Sequence, residues 1–394
     1  MKQIYDVLVL NQISNVGLKR LPPEHYRVSK DVANPDAILV RSADMHHMEI
    51  PASVKAIARA GAGTNNIPVK AMNVRGVPVF NAPGANANAV KELVLAGLLI
   101  AARNLGPALN FVEKLEGEGE ARDKRVEDGK KQFAGIELRN HTLGIVGLGK
   151  IGALVADAAI KLGMHVIGFD PHITVEAAWS LSSQVKKANS IEEVFRTSHF
   201  ISLHLPLVAE TRHLINGPML ERAKQGSVLL NFSREGIVDE AAVKEALATH
   251  KLKYYISDFP SAELANHPCV VSMPHLGAST REAEDNCAVM VADQLREYLE
   301  HGCIRNAVNF PEVMMQREVP YRVCIANANV PNMLGQISTT MAQAGLNIHN
   351  MVNKSRGEVA YTLVDTDSPI PDSAIEKLES IEGVLMVRYL PLPT

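Results

Sequence analysis

The chain has 394 residues, 46% apolar and 21% charged, with a formal net charge of −3. That length exceeds what one hydrophobic core usually serves, so two or three domains are expected. The charge gives no basic excess for nucleic acid or an anionic membrane, and no stretch reaches the roughly 18 apolar residues of a bilayer span.

In chain order, Tyr5 to Leu10, Ala37 to Val40 and Gly76 to Phe80 read as short apolar strands, and Ser53 to Ala60 and Val69 to Val74 as helices. Such alternation predicts a parallel sheet with helices on both faces. The start, Met1 to Leu10, carries an acid and leads into folded-looking sequence, which is not the pattern of a signal peptide. Asn88 to Asn104 follows as a long apolar helix. Glu113 to Lys131 is rich in Glu, Lys, Arg and Gly, and is expected to be a solvated loop or an arm toward a second subunit.

The most specific signal lies near the middle. His141 to Val146 reads as a strand, Gly147-Leu-Gly149-Lys150-Ile151-Gly152 as a glycine turn, and Ala153 to Leu162 as a helix. A second strand, His165 to Phe169, closes on Asp170, eighteen residues after Gly152. Glycines in such a turn let backbone N–H groups approach a pyrophosphate at a helix N-terminus, and the acid can hold the ribose hydroxyls of NAD. NAD is therefore the expected cofactor.

Regular alternation continues to about Ala278. Strands are expected at His199 to His204, Ser227 to Asn231, Tyr254 to Ser257 and Val270 to Met273, and helices at Ser190 to Arg196, Gly217 to Lys224 and Glu240 to His250. Ligands of such doubly wound sheets bind beyond the carboxyl ends of the strands. Three charged or titratable groups fall there: Arg234, Glu263 and His275. Hydride transfer from an alcohol carbon needs a base for the hydroxyl proton, which His suits. It also needs a carboxylate to orient that His and a cation to grip a substrate carboxylate, roles that Glu263 and Arg234 can fill.

Ser279 to Gly302 reads as a helix, and Asn306 to Glu318 as a linker permitting relative motion, so that a chain ending near Pro311 should keep activity. The last 75 or so residues read βαββαβ: Tyr321 to Ala326, Met333 to Ala344, Ile348 to Ser355, Val359 to Asp365, Ser373 to Ser380 and Val384 to Tyr389. That order is ferredoxin-like. The fold class expected is thus α/β, with two doubly wound parallel-sheet domains and a C-terminal ferredoxin-like unit. The boundaries are 1–88 with 279–310, 89–278, and 319–394. Cys269, Cys287, Cys303 and Cys324 form no CxxC pair, so neither a metal site nor a disulfide framework is expected, and a cytoplasmic location is the default.

Leu203-His204-Leu205-Pro206-Leu207, Ser233-Arg234-Glu-Gly-Ile-Val-Asp239 and Pro274-His275-Leu-Gly277-Ala-Ser-Thr280 resemble the signatures of the D-isomer-specific 2-hydroxyacid dehydrogenases, and the C-terminal unit resembles an ACT domain. The resemblance covers essentially the whole chain. It implies that Arg234, Glu263 and His275 are catalytic and that Asp258 holds the nicotinamide carboxamide. His204, Leu205, Pro206, Ser233 and Gly277 would join the cofactor site. The family pattern Asp-Val-Phe-x-x-Glu-Pro is here Asp258-Phe-Pro-Ser-Ala-Glu263-Leu264, with the proline lost and the aromatic shifted.

On the substrate side the resemblance points to the loop Gly61-Ala62-Gly63 and to the Asn86 loop. Arg41 and Arg59 beside them suit a phosphate. Together with the ACT-like unit, this implies oxidation of 3-phospho-D-glycerate to 3-phosphohydroxypyruvate in serine synthesis. The alternatives are a glyoxylate/hydroxypyruvate reductase or an NAD-sensing regulator that binds a protein. L-serine is the implied effector, held by Asn327, Asn329 and Asn347 between paired ACT units. A homodimer or homotetramer is expected, with Lys130 or Lys131 reaching a neighbouring site.

Overall fold

The computed structural model describes residues 4–392, in two compact units: one up to Asn86 and from Arg281 onward, the other Ala87–Thr280. In the first unit, β1 (Tyr5–Val9), β2 (Tyr26–Ser29), β3 (Ala37–Val40), β4 (Ala56–Arg59) and β5 (Val79–Phe80) form a parallel sheet in the order β2-β1-β3-β4-β5. The stretch expected as a helix over Ser53 to Ala60 is instead strand β4. Its alanines and cations favour a helix locally, but burial between β3 and β5 overrides that preference.

The second unit carries β6 (Thr142–Val146), β7 (His165–Phe169), β8 (Val185–Lys187), β9 (Phe200–Leu203), β10 (Ser227–Asn231), β11 (Leu252–Ser257) and β12 (Val270–Ser272). All are parallel, in the order β12-β11-β10-β9-β6-β7-β8. The order reverses between β6 and β9, the switch point of a doubly wound sheet. Edge strands β2 and β8 carry charge and lie partly exposed, so neither announces itself by an apolar run. The charged arm contains a helix, Gly119–Gly129, and a 3₁₀ turn, Lys130–Phe133, with no buried residue in either.

The C-terminal strands β13 (Tyr321–Ala328), β14 (Ile348–Arg356), β15 (Val359–Thr366) and β16 (Val384–Pro391) form an antiparallel sheet, β14-β15-β13-β16, the ferredoxin-like order. One face packs on helices Met333–Gln343 and Asp372–Glu379 through Val323, Ile325, Ile337, Met341 and Leu378. The other face, with Cys324, Tyr361, Leu363 and Leu390, joins the core of the first sheet and helix Arg281–His301.

The expected linker is part of that core. Phe310 and Val313 are buried, Asn309 Oδ1 accepts the Val79 N–H at 2.8 Å, and Ile304 and Val313 exchange backbone bonds. Arg322 is fully buried against Asp365, with Nε–Oδ1 at 2.6 Å and Nη2–Oδ2 at 2.7 Å. The C-terminal sheet is therefore fixed to the first sheet, not tethered beside it. Among the described residues no single helix is long and apolar enough to cross a membrane.

Candidate active site

Within Ala87–Thr280, the candidate residues gather at the carboxyl edge of one sheet. Gly147 follows β6 with φ +93, and a Cβ there would meet the His204 carbonyl oxygen at 2.4 Å. A Cβ on Gly152 would reach the Gly147 oxygen at 2.0 Å, so packing alone requires glycine at both positions. Gly149 differs: its φ is −67 and nothing lies within 4 Å of its missing Cβ. Its bareness serves no internal contact and leaves an open cradle over the N-terminus of helix Lys150–Lys161, where no side chain caps the first N–H groups. Asp170 borders the same turn, Oδ2 accepting the Leu148 N–H at 2.8 Å and Oδ1 the His172 N–H at 2.9 Å. Open N–H groups beside a carboxylate fit the pyrophosphate and ribose of a dinucleotide. Lys150 is exposed and Ile151 half-buried on the first turn of that helix.

The loops after β9, β10, β11 and β12 are laced together. Ser233 Oγ donates to the Leu203 carbonyl and accepts the Leu205 N–H, at 3.1 Å. Asn231 Oδ1 accepts the Ser233 N–H at 3.1 Å, and its Nδ2 donates to the Arg234 carbonyl at 3.0 Å. The Arg234 side chain is exposed and donates to the Ser233 carbonyl at 2.7 Å. Pro206 is exposed. His204 Nε2 lies 2.9 Å from Ser202 Oγ, while Nδ1 is buried without a partner among the described residues. Burial alone pulls this imidazole down to a pKa of about 4, so it is neutral at neutral pH.

Asp258 is 1% exposed, and both carboxylate oxygens accept backbone N–H groups: Leu276 at 2.7 Å and Gly277 at 2.8 Å. Its carbonyl accepts the His275 N–H at 3.0 Å. One buried carboxylate thus shapes the whole turn His275–Gly277. His275 stands in the left-handed region, φ +56, exposed, its ring 5.0 Å from that of Phe259. The shifted aromatic of the Asp258 segment is the residue against the imidazole, a contact that sequence reading missed although the shift itself was visible.

Glu263 is exposed on the loop after β11, its N–H bonded to Ser261 Oγ at 3.2 Å. No hydrogen bond or ion pair joins it to His275 among the described residues. It lines a cavity of about 480 Å³ together with Arg212, His213, Glu235 and Glu240.

In the other unit, Arg41 follows β3 and Arg59 ends β4, adjacent parallel strands in which Val40 pairs with Arg59. Arg59 Nε donates to the Arg41 carbonyl at 3.1 Å. The glycine loop is held by Asn81 Nδ2 on the Ala62 carbonyl, at 2.5 Å, and by the Ala82 N–H on the Gly61 carbonyl, at 2.9 Å. Gly63 and Asn86 are half-buried. Sequence reading missed Glu284, whose Oε1 accepts from Arg41 Nη2 at 2.7 Å.

On the C-terminal sheet, Asn327 is 1% exposed, with Nδ2 on the Ala328 carbonyl at 2.7 Å, and offers no face to a dissolved ligand. Asn329 donates to the Gly357 carbonyl at 3.0 Å, and Asn347 Nδ2 to Asp367. These two asparagines lie at opposite ends of β15, separated by its eight residues, roughly 25 Å. Among the described residues no group of three or more His, Cys, Asp or Glu is placed to hold a metal ion.

Residues 98–277 match the family profile described as D-isomer specific 2-hydroxyacid dehydrogenase, NAD binding domain. The chain is 33% identical to the D-3-phosphoglycerate dehydrogenase of Methanocaldococcus jannaschii, over 85% of this chain and 62% of that one. It is 32% identical to that of Haemophilus influenzae, over 83% of this chain and 79% of that one. It therefore spans less than two thirds of the Methanocaldococcus relative and more of the Haemophilus one. A solved NAD+-bound 3-phosphoglycerate dehydrogenase of Entamoeba histolytica superposes with TM-score 0.61 at 27% identity, over 78% of this chain and 99% of that one. The chain belongs to the D-isomer specific 2-hydroxyacid dehydrogenases and contains their NAD binding domain.

Proposed function

We propose that the protein oxidises 3-phospho-D-glycerate at C2 to 3-phosphohydroxypyruvate with NAD, the entry to L-serine synthesis. The observation that carries the reading is the arginine pair at the ends of β3 and β4, a cationic site in a family that acts on 2-hydroxy acids. Two arginines suit a phosphomonoester, whereas a small unphosphorylated acid needs one.

Held at the Gly147–Gly152 turn and Asp170, NAD would supply the acceptor for the C2 hydride. The protein does the rest. His275 takes the hydroxyl proton, its loop held by Asp258 and its ring by Phe259. In this reading Asp258 is a positioning residue, because both of its oxygens already serve that turn. Arg234 grips the substrate carboxylate and polarises the C2 oxygen. Glu263 supports the imidazolium, a role that requires its exposed loop to close toward His275.

The same reading takes the chain as cytoplasmic, with four free cysteines, and as a homodimer or homotetramer. Leu105, Leu109 and Val112 project from the helix Leu105–Glu113, Leu109 being 70% exposed, which suits a second copy. L-serine would bind where two C-terminal sheets bring Asn329 of one copy to Asn347 of the other. The deciding assay is NAD reduction by the purified chain with 3-phosphoglycerate at alkaline pH, beside NADH oxidation with glyoxylate and hydroxypyruvate. Turnover of the latter pair alone would give the reaction to a glyoxylate/hydroxypyruvate reductase. Binding of NAD with no turnover of any of them would favour a regulator.

A further inference from the structure

Helix Arg281–His301 brings a carboxylate into the arginine site. Arg41 Nη2 meets Glu284 Oε1 at 2.7 Å, with both side chains partly open to water, 36% and 41% exposed. The Arg59 guanidinium folds over Gly61, where a Cβ would approach Nη1 to 2.3 Å. Cys287, one turn along the same helix from Glu284 and 4% exposed, has its thiol pushed up by burial, with Arg59 and Arg41 lowering it and Glu284 raising it to a lesser degree. Arg59 Nε donates to the Arg41 carbonyl, so the two arginines and Glu284 are neighbours whose charges sum to +1, not +2.

An anion that reaches Arg41 must displace Glu284 or share the guanidinium with it. A phosphate dianion gains most from two cations and is repelled most by a carboxylate nearby. We infer that Glu284 is a specificity-determining residue, an internal counter-anion that occupies Arg41 and sets how tightly the site takes a phosphate group. The inference rests on the reading that Arg41 and Arg59 hold the phosphate end of the substrate. An ordinary acid in the first turn of a helix would stabilise that helix by a little and leave anion affinity unmoved.

The test uses the full-length protein and Glu284→Gln. Calorimetric titration with inorganic phosphate should give a Kd lowered roughly two- to fivefold, about what loss of one partly exposed competing charge is worth. The KM for 3-phosphoglycerate should fall by a similar factor, and the ratio of kcat/KM for 3-phosphoglycerate over D-glycerate should rise. In Arg41→Ala/Glu284→Gln the gain in phosphate binding should vanish. If Glu284→Gln melts early, Glu284→Ala carries the same comparison. An unchanged phosphate Kd, a weaker one, or equal gains for both substrates would overturn the inference. A wild type that does not oxidise 3-phosphoglycerate, with the phosphate Kd still lowered in Glu284→Gln, would instead sink the proposed substrate and leave the counter-anion in place.

Discussion

The guanidinium of Arg388 lies 4.5 Å from the ring centroid of Tyr298, and its Nη1 donates to that residue's carbonyl at 3.2 Å. The contact is one of a set. Arg388 Nη2 donates to the Leu299 carbonyl at 2.9 Å, Arg322 Nη1 to the His301 carbonyl at 2.9 Å, and the Tyr361 hydroxyl to the Gly302 carbonyl at 2.8 Å. The last carbonyls of helix Arg281–His301 thus find their donors on the C-terminal sheet.

Removing that sheet should take the Arg388, Arg322 and Tyr361 donors from these carbonyls and leave the core open. A chain stopped at Pro311 is expected to be insoluble or to lack a cooperative thermal transition, rather than to be a working enzyme freed of regulation. Arg322→Met in the full chain should cost about 3–5 kcal/mol, because Asp365 is left buried and unpaired. Urea unfolding of the variant measures this; a truncated chain with native-like melting would refute the packing argument.

His275 should be tested with two variants. Its φ of +56 is tolerated by Asn better than by Ala, so His275→Ala mixes loss of the base with backbone strain. His275→Asn is expected to lose kcat by roughly 100- to 10,000-fold with NAD affinity nearly intact. His275→Ala should lose as much kcat and melt lower. Retention of kcat in His275→Asn would assign the proton to another group.

Cofactor choice should follow Asp170, whose charge beside the glycine turn accepts ribose hydroxyls and repels a 2′-phosphate. The wild type should prefer NAD over NADP in kcat/KM. Asp170→Ala should lower kcat/KM with NAD about ten- to hundredfold, the worth of a charge-assisted bond, and narrow the preference. Equal use of both cofactors by the wild type contradicts this.

Acid should destabilise the fold in part through His204. Its folded-state pKa of about 4 lies below the ordinary 6.5, so between those values the unfolded chain binds a proton that the folded chain refuses. Stability from this group is complete above pH 6.5 and is lost as the pH falls toward 4, by about 2 kcal/mol at pH 5. His204→Asn should lose less stability than wild type between pH 7.5 and pH 5, read from urea midpoints. Parallel losses would place the acid sensitivity elsewhere.

What was legible in the sequence was mostly local. The glycine turn and Asp170 declare themselves because spacing and backbone geometry belong to one βα unit, and His275 and Arg234 because strand ends can be counted. Contacts between distant segments left no such trace. Glu284 meets Arg41 across 243 residues, and nothing in either neighbourhood foretells it. Glu263 matched a motif, yet its side chain is exposed and makes no hydrogen bond or ion pair with His275 among the described residues. The buried arginines did leave a clue. Arg322 and Arg388 interrupt apolar strands at positions that alternate inward, which is costly unless a partner waits. The segment from Asn306 to Glu318 misled because a polar, proline-containing stretch resembles a linker, while Phe310 and Val313 within it fill the core.

The discontinuity of the first unit has a consequence for synthesis. The Tyr5 hydroxyl donates to the Leu299 carbonyl and the Tyr26 hydroxyl to Glu300, and the same core then needs Tyr361 and Leu390. At roughly 5–20 residues per second, the segment up to Asn86 waits on the order of 15–60 seconds before its last packing partners leave the ribosome. The contiguous unit Ala87–Thr280 has all its strands much sooner. Nascent chains should therefore acquire a protease-resistant nucleotide-binding unit first, while β1 to β5 remain a chaperone client until β16 is released.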